Sequence, residues 1–285
     1  MNYSVSKDIQ IVCKLLDISY SELSNYLGVA RSTVSRFVKN EMKPSNMFLE
    51  SFYSFAYSNP IRPIRLNSLK IQFALDNYNK ILFHGAKDVI EGEIDLDHSR
   101  EDVDIGEGFY LGESFEQSSS YVFMNKKSSI YLFDVSKLAE LNVKELNVSL
   151  EWMLLVSYYR GQLKDYSDSS LINELVNDLS NYDVIVAPIA DNNMYEILSQ
   201  FARGDITDKQ AISALSASHL GKQHVLKTKK AVQSVQIVDR LYLCKEERND
   251  IEAVKRENAL IAEDKIKIAK EEYRRVGKYI EEILK

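Results

Sequence analysis

The chain has 285 residues, 45% of them hydrophobic, and a formal net charge of −6. That length permits two domains, and the apolar content is enough for an ordinary core, which excludes wholesale disorder. The opening "MNYSVSKDIQ" carries Lys7 and Asp8 and no apolar h-region; no apolar run approaches the ~20 residues of a bilayer span; and Cys13 and Cys244 cannot by themselves form a disulfide framework or a zinc site. A cytoplasmic, metal-free protein is expected.

Charge is unevenly spread. Residues 1–79 hold nine Lys/Arg against six Asp/Glu, about +3, so the remainder carries the acidity. Only this basic head is suited to touch a polyanion. Within it, "SYSELSNYLGVARSTVSRFVKN" predicts two helices. Ser19 or Ser21 caps the first, Leu23, Tyr26 and Leu27 line its apolar face, and Gly28 supplies a left-handed stop. The second starts near Ala30 with Val34, Phe37 and Val38 on one face and Arg31, Ser32, Thr33, Ser35 and Arg36 on the others. Helix, glycine turn and helix with a polar-basic face resembles the helix-turn-helix of phage-repressor-like DNA-binding domains, over roughly residues 1–58. The resemblance implies that Arg31, Ser32, Thr33 and Arg36 reach base edges or phosphates and that Lys39 and Lys43 serve phosphates. A small helical bundle that binds protein, or simply packs, is the alternative.

Pro60 and Pro63 break any continuing helix, so residues 59–79 read as a linker that runs into a short helix at 67–78. Residues 80–240 mix strands with helices. "ILFH" (81–84), "GFYLG" (108–112), "SIYLFDV" (129–135) and "YDVIVAP" (182–188) are strand-like, and Gln223 opens a further possible strand in "LGKQHVLKT". Helical spacing appears in "SLEWMLLVSYYRG", "SSLINELVNDLS", "NNMYEILSQFAR" and "TDKQAISALSAS", the last with Thr207 and Asp208 at its start. Strict βαβ alternation is missing, so the fold class is α+β. Residues 241–285 read as a charged helix with a heptad-like stripe of Ile266, Ala269, Tyr273, Val276, Ile280 and Ile283. It packs back on the domain, pairs with another copy or meets a partner.

One stretch stands apart: "DIGEGFYLG", residues 104–112, puts Gly-x-Gly at the mouth of a strand without the third glycine of a dinucleotide fingerprint. Taken in order, "LFHGA", "DIGEGFYLGESFEQSSSYV", "EWMLLVSYYRG", "YDVIVAPIADN" and "GKQHVLKTKKAV" resemble the ADP-ribosyltransferase superfamily of the diphtheria-toxin and poly-ADP-ribose-polymerase type. More closely, they are similar to a bacterial family in it catalogued as a domain of unknown function. The resemblance covers most of residues 80–238 and implies the split-sheet core of that superfamily, with NAD as substrate and no metal.

It also implies residue roles. His84 bonds a ribose hydroxyl, and the backbone of Gly85 pairs with the nicotinamide carboxamide. The Tyr110 ring stacks on nicotinamide, while Gly106 and Gly108 let the backbone turn tightly and approach the ligand. Arg100 or Arg160 is assigned to the pyrophosphate. Superfamily members carry a glutamate where Gln223 stands. A glutamine keeps the hydrogen bond to the ribose 2′-hydroxyl but supplies no charge to an oxocarbenium-like transition state. Asp191 is the nearest replacement for the missing carboxylate.

The expected activity is mono-ADP-ribosyl transfer with possible NAD hydrolysis, in the toxin component of a bacterial toxin–antitoxin or phage-defence system. An unidentified protein or nucleic-acid acceptor is implied, with an antitoxin or a second copy on the C-terminal helix. The alternative is a DNA-binding regulator whose degenerate domain senses NAD or ADP-ribose. His98, His219 and His224 read as surface or structural residues.

Overall fold

The computed structural model describes residues 3–90, 94, 96, 103–190, 192–217 and 221–285. Five helices come first: α1 (Val5–Leu16), α2 (Tyr20–Leu27), α3 (Arg31–Val38), α4 (Asn46–Tyr57) and α5 (Leu66–Asn77). Then follow β1 (Ile81–Ala86), β2 (Phe109–Gly112), the short α6 (Phe115–Ser119), β3 (Ser129–Asp134) and β4 (Val143–Glu145). Next are α7 (Leu150–Tyr159), α8 (Ser170–Leu179), β5 (Val184–Pro188), α9 (Asn192–Ala202), α10 (Asp208–Ser216) and β6 (Lys222–Leu226). The chain finishes with α11 (Lys229–Gln233), β7 (Gln236–Tyr242), α12 (Lys245–Glu272) and α13 (Ile280–Leu284). The protein is mixed α+β with a helical N-terminal region, and all five expected strand runs are strands.

Two compact units share the chain in alternation. The first collects Met1–Glu91, Ser118–Asp134 and Gln236–Ala253; the second collects Gly92–Gln117, Val135–Val235 and Val254–Lys285.

In the first unit, local chemistry sets the helix ends. Ser19 accepts from the backbone N–H of Glu22 at 3.2 Å while the Glu22 carboxylate accepts from the Ser19 N–H at 2.8 Å. This reciprocal cap starts α2 and contributes about 1 kcal/mol. Gly28, at φ +64°, ends it. Leu23, Val34 and Phe37 turn inward to meet Phe48 and Phe52, leaving Arg31, Ser32, Arg36 and Lys39 exposed and Thr33 half-buried. Pro60 and Pro63 separate α4 from α5, yet Ile64 and Leu66 are buried in the same core as Tyr242 and Cys244. Strand β3 is central in this unit, antiparallel to β1 (Ile81↔Asp134 to Ala86↔Ser129) and to β7 (Ser129↔Tyr242 to Asp134↔Gln236). A buried ionic group joins the helices to β7. Lys70 reaches Asp8 and Asp239 at 3.2 Å each, and Tyr53 donates to Asp8. Burial raises the Asp8 carboxyl, and the neighbouring Lys70 ammonium and Tyr53 hydroxyl oppose that rise.

In the second unit four strands run in the order β4-β5-β6-β2, with β4 parallel to β5 and the other pairs antiparallel. Helix α7 is buried on every side through its middle, as a central helix must be: Trp152, Met153, Leu154, Leu155 and Val156 are all buried in succession. Helices α8, α9 and α10 surround it with Ile172, Leu198, Phe201 and Leu215. Thr207 caps α10 through a reciprocal pair with Gln210.

The C-terminal segment departs from a single helix over 241–285. Helix α12 stops at Glu272, Gly277 turns the chain at φ +100°, and Asp208 accepts from the Lys278 N–H at 2.8 Å. Ile266, Ala269 and Ile280 of the expected stripe are buried in the core of the second unit, whereas Tyr273 and Val276 are 37% and 52% exposed. The stripe packs back on its own chain.

Candidate functional site

Strand β6 carries Gln223 opposite Gly112 of β2 and Ala187 of β5, and Val225 opposite Tyr110. Directly opposed residues share a face of a sheet, so Tyr110 and Gln223 lie on the same face. Gln223 is buried, and its side-chain nitrogen donates to Asp104 Oδ2 at 2.8 Å and to the Pro188 carbonyl at 3.1 Å. Asp104, only 4% exposed, also accepts from the Ala190 N–H at 3.0 Å on Oδ2 and from the Arg160 guanidinium on Oδ1. Arg160 donates further to the Ala190 carbonyl at 2.8 Å. One carboxylate therefore takes three donors from three elements, which suits a buried charge.

The loop after Asp104 is fastened residue by residue. The Tyr110 hydroxyl accepts from the Ile105 N–H at 3.1 Å and donates to the Gly106 carbonyl at 2.6 Å. Burial pushes its phenol pKa far up, with the Ile105 bond opposing. Gly106 sits at φ +70°, and a Cβ there would overlap the Tyr159 ring. A Cβ on Gly108 would come 2.6 Å from Val225 Cγ1. Both glycines thus let the loop lie against its own core. Lys227 donates to the carbonyls of Ile105, at 2.9 Å, and Glu107. Burial lowers its pKa to about 8, and Glu107 opposes that fall.

Gln223, Tyr110 and Gly108 are brought together in this unit. Asp191 and Arg100 lie outside the described residues, as do His98 and His219. Arg160, the alternative to Arg100 for a pyrophosphate, pairs with Asp104. His84 and Gly85 belong to the first unit, on β1 opposite Tyr131 and Ile130 of β3, with the His84 ring edge-on to Phe133 at 6.5 Å. His224 contacts Glu113 at 3.1 Å. Arg31, Ser32, Thr33 and Arg36 lie on α3, with Lys39 at its end. Sequence reasoning missed Asp104, Tyr159 and Lys227. The signal for Asp104 was its place before Ile105 and the glycines: an acid leading into a buried residue needs a cation, and Arg160 follows the apolar helix α7.

A family described as "Protein of unknown function (DUF3990)" matches residues 80–237. The chain belongs to this family. The family expectation for residues 80–238 is met at that level, over nearly the same span. The match runs from just before β1 into the start of β7, and it contains Asp104, Tyr110, Arg160, Gln223 and Lys227. No curated protein matches the chain, and no solved structure does. Among the described residues, no helix is long and apolar enough to cross a membrane, and no group of three His, Cys, Asp or Glu side chains could hold a metal.

Proposed function

We propose that this chain is an NAD-dependent mono-ADP-ribosyltransferase, the toxin component of a bacterial toxin–antitoxin or phage-defence system, with α2 and α3 as its DNA- or partner-binding element. The observation that carries this reading is Gln223: a buried amide at the opening of β6, on the same face as Tyr110, its nitrogen engaged by Asp104 and Pro188. Its oxygen is the acceptor a ribose 2′-hydroxyl requires. The reaction breaks the bond between ribose C1′ and the nicotinamide nitrogen. Nicotinamide leaves with the bond electrons, and the acceptor's nucleophile forms the new bond to C1′ and gives up its proton. Tyr110 supplies the aromatic face for nicotinamide, and the motif order of the family segment supports the assignment.

Because Gln223 brings no charge, a second reading deserves its test: a regulator that binds NAD or ADP-ribose without turnover. Release of nicotinamide from NAD by the purified protein, with lysate as a source of acceptors, separates the two. Release that disappears in Gln223→Ala supports the transferase. Binding of NAD without release supports the sensor, and neither binding nor release refutes both.

A further inference from the structure

We propose that Asp104 is the positioning residue of this site: it fixes which end of the Gln223 amide is presented and anchors the Ala190 peptide beside it. The inference rests on the NAD reading for its purpose, and on hydrogen-bond chemistry for its geometry.

An amide side chain can enter a network by either end, and its neighbours decide which. The neighbours here are a carboxylate oxygen at 2.8 Å and a peptide carbonyl at 3.1 Å, both acceptors and neither a donor. Only the nitrogen satisfies them. A flipped Gln223 would set oxygen against two oxygens and leave its own NH₂ without these acceptors, a costly arrangement for a buried group. Asp104 and Pro188 thus lock the oxygen onto the opposite end. Asp104 also controls its surroundings. Its Oδ2 accepts from the Ala190 N–H at 3.0 Å, while its ion-pair partner Arg160 donates to the Ala190 carbonyl at 2.8 Å. The carboxylate and guanidinium grip both polar groups of one residue, where β5 gives way to α9. A leucine at position 104 removes both acceptor oxygens at nearly the same side-chain size, whereas an asparagine would keep its one oxygen on Ala190 and Gln223 and turn its NH₂ toward Arg160. With leucine there, the Pro188 carbonyl is what remains of the two acceptors that select the Gln223 nitrogen.

The test has two arms. In the native protein, the side-chain amide protons of Gln223, assigned by their absence in Gln223→Glu, are followed by nuclear magnetic resonance. They should exchange with solvent much more slowly than those of exposed glutamines. Exchange at the exposed rate in the native protein, or unchanged exchange in Asp104→Leu, overturns the proposal; this arm needs no turnover, so it judges Asp104 even if NAD proves not to be the substrate. The second arm is Asp104→Leu in the nicotinamide-release assay. A displaced Gln223 loses its hydrogen bond to the ribose 2′-hydroxyl, so kcat/KM for NAD falls by about 100-fold. Native kcat/KM in a folded Asp104→Leu protein overturns the proposal. Absence of release by the native protein refutes the transferase reading and leaves the amide measurement to decide.

Discussion

Gly106 lies against the ring of Tyr159, so closely that its missing Cβ is the space the ring edge occupies. Two demands meet at this residue: a φ of +70° and no side chain. Gly106→Ala should therefore cost about 1–2 kcal/mol for the left-handed backbone and about 1–3 kcal/mol more for overpacking. In a Tyr159→Leu background only the backbone cost should remain. Urea unfolding of the four proteins of this cycle checks it, and an equal cost in both backgrounds would remove Tyr159 from the explanation.

Tyr110 combines a ring and a hydroxyl whose jobs are separable. Tyr110→Phe leaves the Ile105 N–H and the Gly106 carbonyl without the bonds they now make, and should cost about 1–3 kcal/mol. If the ring face serves nicotinamide, Tyr110→Phe keeps the nicotinamide release that Tyr110→Ala loses. Parallel melting curves and release assays check this; loss of release in the stable Phe variant would count against stacking.

The first unit carries its own pH signature. Burial raises the Glu247 carboxyl from 4.5 to about 7, with a hydrogen bond from Asn67 at 2.7 Å opposing. A raised carboxyl pKa means that the folded state binds the proton more tightly than the unfolded chain. Its stabilising contribution is full below about 4.5 and is lost as pH rises through about 7. Glu247→Gln should flatten this part of the stability profile and stabilise the protein at pH 8 by on the order of 3 kcal/mol, one pKa unit being worth about 1.4 kcal/mol. Thermal unfolding across pH 4.5–8 provides the comparison.

Arg31, Arg36 and Lys39 project from α3 and its end into solvent. If they meet DNA, Arg36→Ala and Lys39→Ala should each weaken binding to a duplex from upstream of the coding sequence. Each lost phosphate contact should also flatten the plot of log K against log salt by about 1. A gel shift over a salt series reads both effects. Retention that ignores salt would favour a protein-binding bundle.

Local chemistry was legible in the sequence, and distant pairing was not. Ser19 with Glu22 and Thr207 with Gln210 each lie three residues apart, so their helix starts could be read directly. The strands around Leu82, Leu132 and Ile185 announced themselves as apolar runs bounded by turn residues. Strand β7 was hidden because Asp239 and Arg240 interrupt its apolar pattern. Asp239 pairs with Lys70, and Arg240 donates hydrogen bonds to the Ser129 hydroxyl, both partners lying far away along the chain. The end of α12 was overrun because the stripe of apolar spacing continues through Gly277, whose turn cuts it. At the candidate site, Gln223 could be singled out from its motif, but Asp104 makes its bond across more than a hundred residues. Arg160 could be singled out as well, but not its pairing with that acid, 56 residues earlier.

The strand order also governs when the protein can fold. None of the described pairs is a tight hairpin: β5 and β6 are joined by the long stretch from Pro188 to Lys222, and one edge of β3 must wait for β7. Closing such long loops precedes any reward from the contacts, so folding belongs to the slow regime of non-local topologies. During synthesis β3 can meet β1 early, but its other edge stays unpaired until Tyr242 has left the ribosome. Chains that end before that residue keep an apolar strand with an open edge, and their expected fate is aggregation.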